Sequence, residues 1–252
     1  MPRGTSSLTC GVSGLRREGK GGEEPPPELG IDYSEEVTQP SFRELERLAL
    51  WARGRGPEFY LIGGWAAWRY HQGLGSRDID VIFPNQDILD AFLKEYYQQN
   101  GYERGGTLFV GAYRKPVEVG GRTVYIEIDA AQIDQGPPFK ENETLNLPYT
   151  LLEEHSARWA VGKEEVLLPI PELLILQKVK AHRDRSWELG HRLLAPGEAV
   201  FLRSKVEKDA YDITRLAPKV KDWKTVGAIA GEHACRDLVS ETLRALSVRA
   251  DL

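Results

Sequence analysis

Two aspartates one residue apart, Asp78 and Asp80, open the run Asp78-Ile79-Asp80-Val81-Ile82-Phe83, whose start alternates as a β-strand does. Successive side chains of a strand point to opposite faces. Both carboxylates therefore share one face, roughly 6 to 7 Å apart, while Ile79, Val81 and Phe83 take the other. Like charges held this close need water or a shared cation, and a hard cation with oxygen ligands is the natural partner: Mg²⁺, with Mn²⁺ as the alternative. The pair alone carries little, because Asp-x-Asp arises by chance roughly once in every few hundred residues and also suits a solvent-facing strand edge.

Context gives it weight. Upstream, the apolar run Phe59-Tyr60-Leu61-Ile62 ends at Gly63-Gly64 and is followed by a helical stretch from Trp65 to His71. Downstream, the segment from Val117 to Asp129 is two alternating runs joined by Gly120-Gly121, the signature of a hairpin, and it brings Glu127 and Asp129 out on one face. Converging carboxylates suit in-line displacement at phosphorus, in which two metal ions about 3.5 to 4 Å apart activate the attacking hydroxyl and hold the triphosphate. Glycines without Cβ let backbone approach a phosphate closely, and the helix that follows offers free N–H groups and a positive dipole end.

These residues resemble the nucleotidyltransferase superfamily, with its polymerase-β-like fold: an apolar strand, Gly-Gly or Gly-Ser, a spacer, Asp-x-Asp, and a third acid on a later strand. Leu61-Ile62-Gly63-Gly64 and Asp78-Ile79-Asp80-Val81 match that pattern in order and spacing. The resemblance implies Asp78, Asp80 and Asp129 as catalytic metal ligands, with Glu127 the alternative third acid. It also implies two Mg²⁺ ions and an NTP, ATP among the candidates, as substrate. Many members carry Ser where this chain has Gly64, so backbone amides or Ser76 must compensate.

A closer likeness, over roughly Tyr60 to Leu216, is to small prokaryotic nucleotidyltransferases that include the AbiEii-type toxins of toxin–antitoxin pairs. Ser76-Arg77-Asp78-Ile79-Asp80 is similar to their Thr-x-Asp-x-Asp. Pro171-Glu172 leading to Lys178, His182, Arg183 and Arg185, then Lys208-Asp209-Ala210-Tyr211-Asp212, are similar to their helical motifs. That branch implies a tRNA 3′ end as acceptor and a cognate antitoxin as partner; a small molecule of the aminoglycoside type fits the same chemistry.

Lys178, His182 and Arg185 share a helix face, whereas Lys180 points elsewhere. A cationic face opposite the acids would hold the triphosphate, with Asp209 and Asp212 orienting the cations. The bland alternative is ordinary helix salt bridges worth a few tenths of a kcal/mol each. The nucleotide-binding set is thus Gly63, Gly64, Ser76, Lys178, Arg185 and Asp209. Trp65 and Trp68 could stack on a base but more commonly pack against a sheet. His155 and His191 lack metal-ligand spacing, and no Cys, Ser or His arrangement suggests covalent catalysis.

The elements that must position these groups form an α+β chain: a mixed-sheet nucleotidyltransferase domain with helices packed on it (39–165), then a helical domain (166–252). Residues 1–38, rich in Gly, Ser, Pro and charge, read as a flexible tail. Order is expected to begin at Pro40-Ser41-Phe42-Arg43-Glu44, a capping-box spacing, with a helix to about Arg53. Further helices are expected at 86–99, from Pro171 through Arg185, and at 198–216. The length of 252 residues buries an ample core, and no apolar run approaches the roughly 20 residues of a membrane span. With no secretory signal and only Cys10 and Cys235, a cytoplasmic location is expected. A net charge of −5 excludes a surface devoted wholly to nucleic acid, although Arg203, Lys205, Lys208, Lys219, Lys221 and Lys224 could seat an RNA locally. The rivals are a non-catalytic nucleotide- or RNA-binding partner and a Mg²⁺-dependent nuclease.

Overall fold

The computed structural model describes residues 32–55, 58–104 and 113–252; the reading of residues 1–31 as a tail lies outside them. The strands are β1 (Tyr60–Ile62), β2 (Asp78–Phe83), β3 (Glu103–Arg104), β4 (Tyr113–Val119), β5 (Arg122–Gln132), β6 (Pro138–Phe139), β7 (Asn142–Asn146), β8 (Ser156–Val161) and β9 (Glu164–Pro169). Seven of them form one mixed sheet in the order β3-β4-β5-β2-β1-β9-β8, and β6 pairs with β7 apart from it. β2 runs parallel to β5 and β1 parallel to β9; β1–β2, β4–β5 and β8–β9 are antiparallel. The β4–β5 hairpin turns on Gly120 and Gly121 at φ of 55° and 78°, the doubly positive pair that a two-residue type I′ turn requires.

The helices are α1 (Glu35–Arg55), α2 (Gly63–His71), α3 (Gln86–Ala91), α4 (Tyr97–Gln99), α5 (Leu151–Glu154), α6 (Pro171–His191), α7 (Pro196–Leu216), α8 (Trp223–Glu232) and α9 (Arg236–Ala245). A π-helical turn over Phe92–Tyr96 joins α3 to α4, so the single helix expected at 86–99 is one rod with an altered turn inside it. Alternation along the central strands sorts the two faces of the sheet. Ile79, Val81, Phe83, Ile126 and Ile128 point into the main core with Leu45 and Leu48 of α1 and with Phe92, Tyr96 and Tyr97. On the opposite face Ile82 packs with Leu173 of α6 and Leu152 of α5, and there Asp78 and Asp80 project. Beyond the strands the chain is helical, its second core built from Ile175, Leu176 and Val179 of α6 with Ile213, Val226 and Val239. This is the α+β architecture expected: a mixed sheet with packed helices, then a helical region. Proline opens the two long helices α6 and α7, Pro171 and Pro196 at their first turns, where a missing N–H costs nothing.

The start of α1 is a correction. The helix begins at Glu35, five residues before Pro40, with Val37 and Thr38 buried, and Pro40 lies inside it. Ser41 is therefore no cap. Its hydroxyl accepts a hydrogen bond from the Trp65 indole N–H at 3.0 Å. Glu44 does not reach back to a helix end but sits in the core, taking Tyr96 Oη at 2.8 Å, Arg47 at 2.6 Å and Lys115 at 3.1 Å. The local spacing imitates a capping box while both polar groups serve tertiary partners. The β8–β9 hairpin, turned by Gly162 at φ 63°, and the β6–β7 pair go beyond the sequence reading, and α6 runs six residues past Arg185.

Glu44→Ala strips a buried carboxylate from a lysine, an arginine and a tyrosine hydroxyl at once. The expected loss of stability in chemical denaturation is about 3 kcal/mol, as for breaking a buried charged network; a loss under about 0.5 kcal/mol would remove Glu44 from the core's essential contacts.

Candidate active site

The site forms where β2 and β5 run side by side. Parallel pairing sets Asp78 opposite Glu127 and Asp80 opposite Asp129, so an in-register ladder turns two Asp-x-acid pairs into a block of four carboxylates on one sheet face. Neighbouring strands lie about 4.8 Å apart; at an effective dielectric of about 20 each adjacent pair repels by roughly 3 kcal/mol when both are ionised. Burial, then the charge of Asp78, pushes Asp80 above the usual carboxylate range. Burial together with Asp80, Asp78 and Glu127 pushes Asp129 up to about 7, and Glu127 is raised by burial and Asp78. Asp78 goes the other way: burial opposes its charge, but Lys205, Arg77 and Arg185 outweigh that and hold it low.

On the other side β2 pairs with β1, Asp80 opposite Ile62, and β1 hands directly to α2. Gly63 stands at φ 69°, and a Cβ there would lie 1.9 Å from Asp80 Oδ2. Both backbone conformation and space demand glycine. A Cβ on Gly64 would lie 2.5 Å from Ser76 Oγ and 3.5 Å from Lys208 Nζ, so the Ser76 hydroxyl reaches the place that a side chain at position 64 would fill. No side chain caps α2 among the described residues and its first turn holds no acid, which leaves the N-terminal amides and the positive dipole end facing the carboxylates.

A cavity of about 650 Å³ opens here, lined by Gly63, Gly64, Ser76, Asp78, Asp80, Glu127, Asp129, Lys178, Arg185 and Asp209 together. The three candidate metal-ligating aspartates, Glu127 and the candidate nucleotide-binding set from the sequence are all on that wall. Lys205 and Lys208 line it too, so two residues read as an outer RNA surface face inward, while Arg203, Lys219, Lys221 and Lys224 are exposed. Lys180, expected to point away, also lines the cavity, paired with Asp184, whereas His182 does not reach it. Trp65 and Trp68 pack with Phe42 rather than at the cavity; its aromatic lining is Tyr97, Tyr113, Tyr149 and Phe201, gathered from four separate segments.

Behind the cations lies a buried network. Arg185 bonds Asp209; Lys178 Nζ lies 3.2 Å from Asp209 and 2.7 Å from Asp212; Lys208 Nζ lies 2.9 Å from Asp212. His71, at the end of α2, completes it with Nε2 3.1 Å from Asp212. Its Nδ1 accepts the Gly73 N–H at 2.9 Å, which leaves Nε2–H to donate to the carboxylate. Burial costs Asp212 its charge, but Lys178 and Lys208 outweigh it, holding Asp212 far below the usual range and Lys178 above its own. Lys208 is lowered by burial despite Asp212.

The carboxylates fit a hard divalent cation by donor chemistry: all offer oxygen, and Asp78 Oδ1 is buried with no hydrogen-bond partner among the described residues. Among the described residues no group of three or more His, Cys, Asp or Glu is already drawn together as a metal cage. The cation now bonded to Asp78 is the Lys205 ammonium.

No family model matches the chain, and no curated protein does. Among solved structures it is similar to an antigenic nucleotidyltransferase-like protein from Paracoccidioides brasiliensis, with 17% identity over 83% of this chain and 94% of that one, at a TM-score of 0.48. It is also similar to the antibiotic-resistance factor ANT(2″)-Ia in two structures. The solution structure has 13% identity over 83% of this chain and 98% of that one, TM-score 0.41. The complex with adenylyl-2″-tobramycin has 15% identity over 79% and 99%, TM-score 0.40.

In the presence of a chelator, Asp129→Asn removes a carboxylate whose ionisation the fold opposes, so its thermal midpoint at pH 8 is expected to exceed wild type by at least ~2 °C. For the wild type, a raised folded-state pKa means that the folded protein binds this proton more tightly than the unfolded chain. The resulting stability is gained as pH falls through about 7 and is lost as pH rises through it. A midpoint unchanged by both the substitution and the pH step would contradict the repulsion.

Proposed function

We propose that the chain is a metal-dependent nucleotidyltransferase that moves a nucleoside monophosphate from an NTP to an acceptor hydroxyl and releases pyrophosphate. The observation that carries this is the block of four carboxylates set against Gly63, Gly64 and the uncapped start of α2: an acid cluster and a phosphate seat facing one cavity.

In this reading Asp78 and Asp80 hold Mg²⁺ or Mn²⁺, with Asp129 as the third ligand and Glu127, one rung out, as its alternative. When bound, the metal lowers the charge on the α-phosphate and favours the acceptor alkoxide. Asp129 takes the acceptor proton. The acceptor oxygen then bonds to the α-phosphorus as the bond to the bridging oxygen breaks, and pyrophosphate leaves with that electron pair. The amides of Gly63 and Gly64, the Ser76 hydroxyl and Lys208 seat the phosphates, and Lys178 and Arg185, fixed by Asp209 and Asp212, stabilise charge on the departing pyrophosphate. A nuclease needs no seat for a triphosphate, and a plain binding module gains nothing from repelling acids, so both rivals are less well supported. The tRNA 3′ end remains the first acceptor to try, a small hydroxylated molecule the second, and a cognate antitoxin the partner to seek.

With Mn²⁺ or Mg²⁺, each α-labelled NTP and total tRNA or small hydroxylated acceptors, wild type is expected to transfer label and Asp78→Ala/Asp80→Ala to transfer none. Full activity in the double variant would end this reading, as would nucleotide release from RNA without added NTP. Ser76→Ala is expected to weaken NTP binding by about tenfold, the worth of one hydrogen bond to a charged group. Gly64→Ser alone collides with Ser76, whereas Gly64→Ser/Ser76→Gly returns a hydroxyl to that place and is expected to regain most of the affinity. No regain would mean that the Ser76 hydroxyl does not contact phosphate.

A further inference from the structure

Lys205 lies outside the motifs singled out in the sequence, yet it is bonded directly to one of the four acids. Its Nζ bonds Asp78 Oδ2 from a helix 127 residues further along the chain. The other oxygen, Asp78 Oδ1, is buried without a hydrogen-bond partner among the described residues, and Arg77 Nε lies 3.8 Å from it. Lys205 and Asp78 have side chains only 17% and 11% exposed, so water screens the pair poorly. Lys205 also lies 5.4 Å from the centre of the Phe201 ring, which shields its flank.

Resting on the reading of the acids as metal ligands, we propose that Lys205 is a built-in counter-cation: it neutralises Asp78 in the nucleotide-free protein and must leave that carboxylate before a divalent cation can bind it. A divalent ion arriving at Asp78 meets the Lys205 ammonium already bonded there, and its double charge makes the repulsion at a given distance about twice that between the two ammoniums that Asp212 bridges. Divalent metal alone therefore competes with the lysine and binds weakly. A metal–nucleotide complex changes the balance, because Lys205 lines the same cavity as Gly63, Gly64 and Lys208, and phosphate oxygens seated there give its ammonium a new anion. The lysine then moves from carboxylate to phosphate, and metal and nucleotide bind each other's complex more tightly than they bind the free protein. Such coupling is reciprocal by thermodynamic necessity. Lys208 is no such counter-cation, since its carboxylate partner is Asp212, four residues along its own helix, and not Asp78.

The test is Mn²⁺ binding followed by electron paramagnetic resonance on the full chain, with and without the non-hydrolysable α,β-methylene-ATP. Wild type is expected to bind Mn²⁺ weakly alone and at least ~10-fold more tightly with nucleotide. Lys205→Met is expected to bind Mn²⁺ alone at least ~10-fold more tightly than wild type and to lose most of the nucleotide's enhancement. Lys205→Gln keeps a polar head beside Asp78, guards against a folding failure, and should shift in the same direction. Lys205→Arg retains the charge and should behave as wild type does. Mn²⁺ affinity unchanged or weaker in both neutral variants overturns the proposal; if wild-type binding still depends on Asp78, the functional reading survives that result. Wild type that binds no Mn²⁺ with or without nucleotide overturns both.

Discussion

Four acidic side chains brought together by parallel strand register are the constraint to which the rest of the site answers. Backbone pairing between β2 and β5 forces Asp78, Asp80, Glu127 and Asp129 into one patch, because slipping either strand by a residue would turn its acids into the apolar core and its isoleucines into the cavity. The repulsion within the patch is thus locked in by hydrophobic burial on the reverse face, where Ile79, Val81, Ile126 and Ile128 are almost wholly inaccessible. Gly63 belongs to the same constraint. The chain leaves β1 directly beside Asp80, and only a residue without a Cβ can pass at that distance with a positive φ.

The compensating charge comes from elsewhere in the chain. Lys178 and Arg185 of α6 and Lys205 and Lys208 of α7 all project toward the sheet, and Asp209 and Asp212 hold three of them in place. Each of these buried aspartates bridges cations, so removing one would strand several charges rather than one. His71 ties the network to α2, the helix whose uncapped start at Gly63 and Gly64 lines the cavity. The sheet and the helical region therefore share one electrostatic unit, and neither half builds the cavity alone.

Much of this was legible in the sequence, and the reasons are local. The strand bearing Asp78 and Asp80, the Gly-Gly hairpin and Gly63-Gly64 each declare themselves within a dozen residues, through alternation or through a conformation only glycine takes easily. That Glu127 and Asp129 share a face was readable for the same reason. The readings that failed depended on distant partners. Ser41 and Glu44 have capping-box spacing, but their hydrogen bonds go to Trp65 and Tyr96. Lys205 looked like a surface cation in a basic stretch, since nothing within α7 reveals that it meets Asp78, whereas Lys208 was read both in that stretch and in the Lys208–Asp212 motif, and it lies beside Gly64. Lys180 is off the Lys178–Arg185 stripe on a helical wheel, yet the cavity is wide enough to take in a second stripe of α6 through Asp184 and Glu188.

That second stripe gives the cavity two unlike ends. Around Gly63 and Gly64 the lining is backbone and the Ser76 hydroxyl, with Lys205 paired to Asp78 and Lys208 to Asp212. At the other end Lys180 pairs with Asp184 and Lys140 with Glu188, and the Lys140 backbone N–H donates to Asp184 at 2.8 Å. Glu188 also takes Arg192, so each of these cavity-lining lysines already has a carboxylate partner. Tyr149 and Leu147 lie on the same wall and add shape rather than charge. The acid block, by contrast, sets four carboxylates on one face with Lys205 bonded to Asp78, so its charge is not matched one to one.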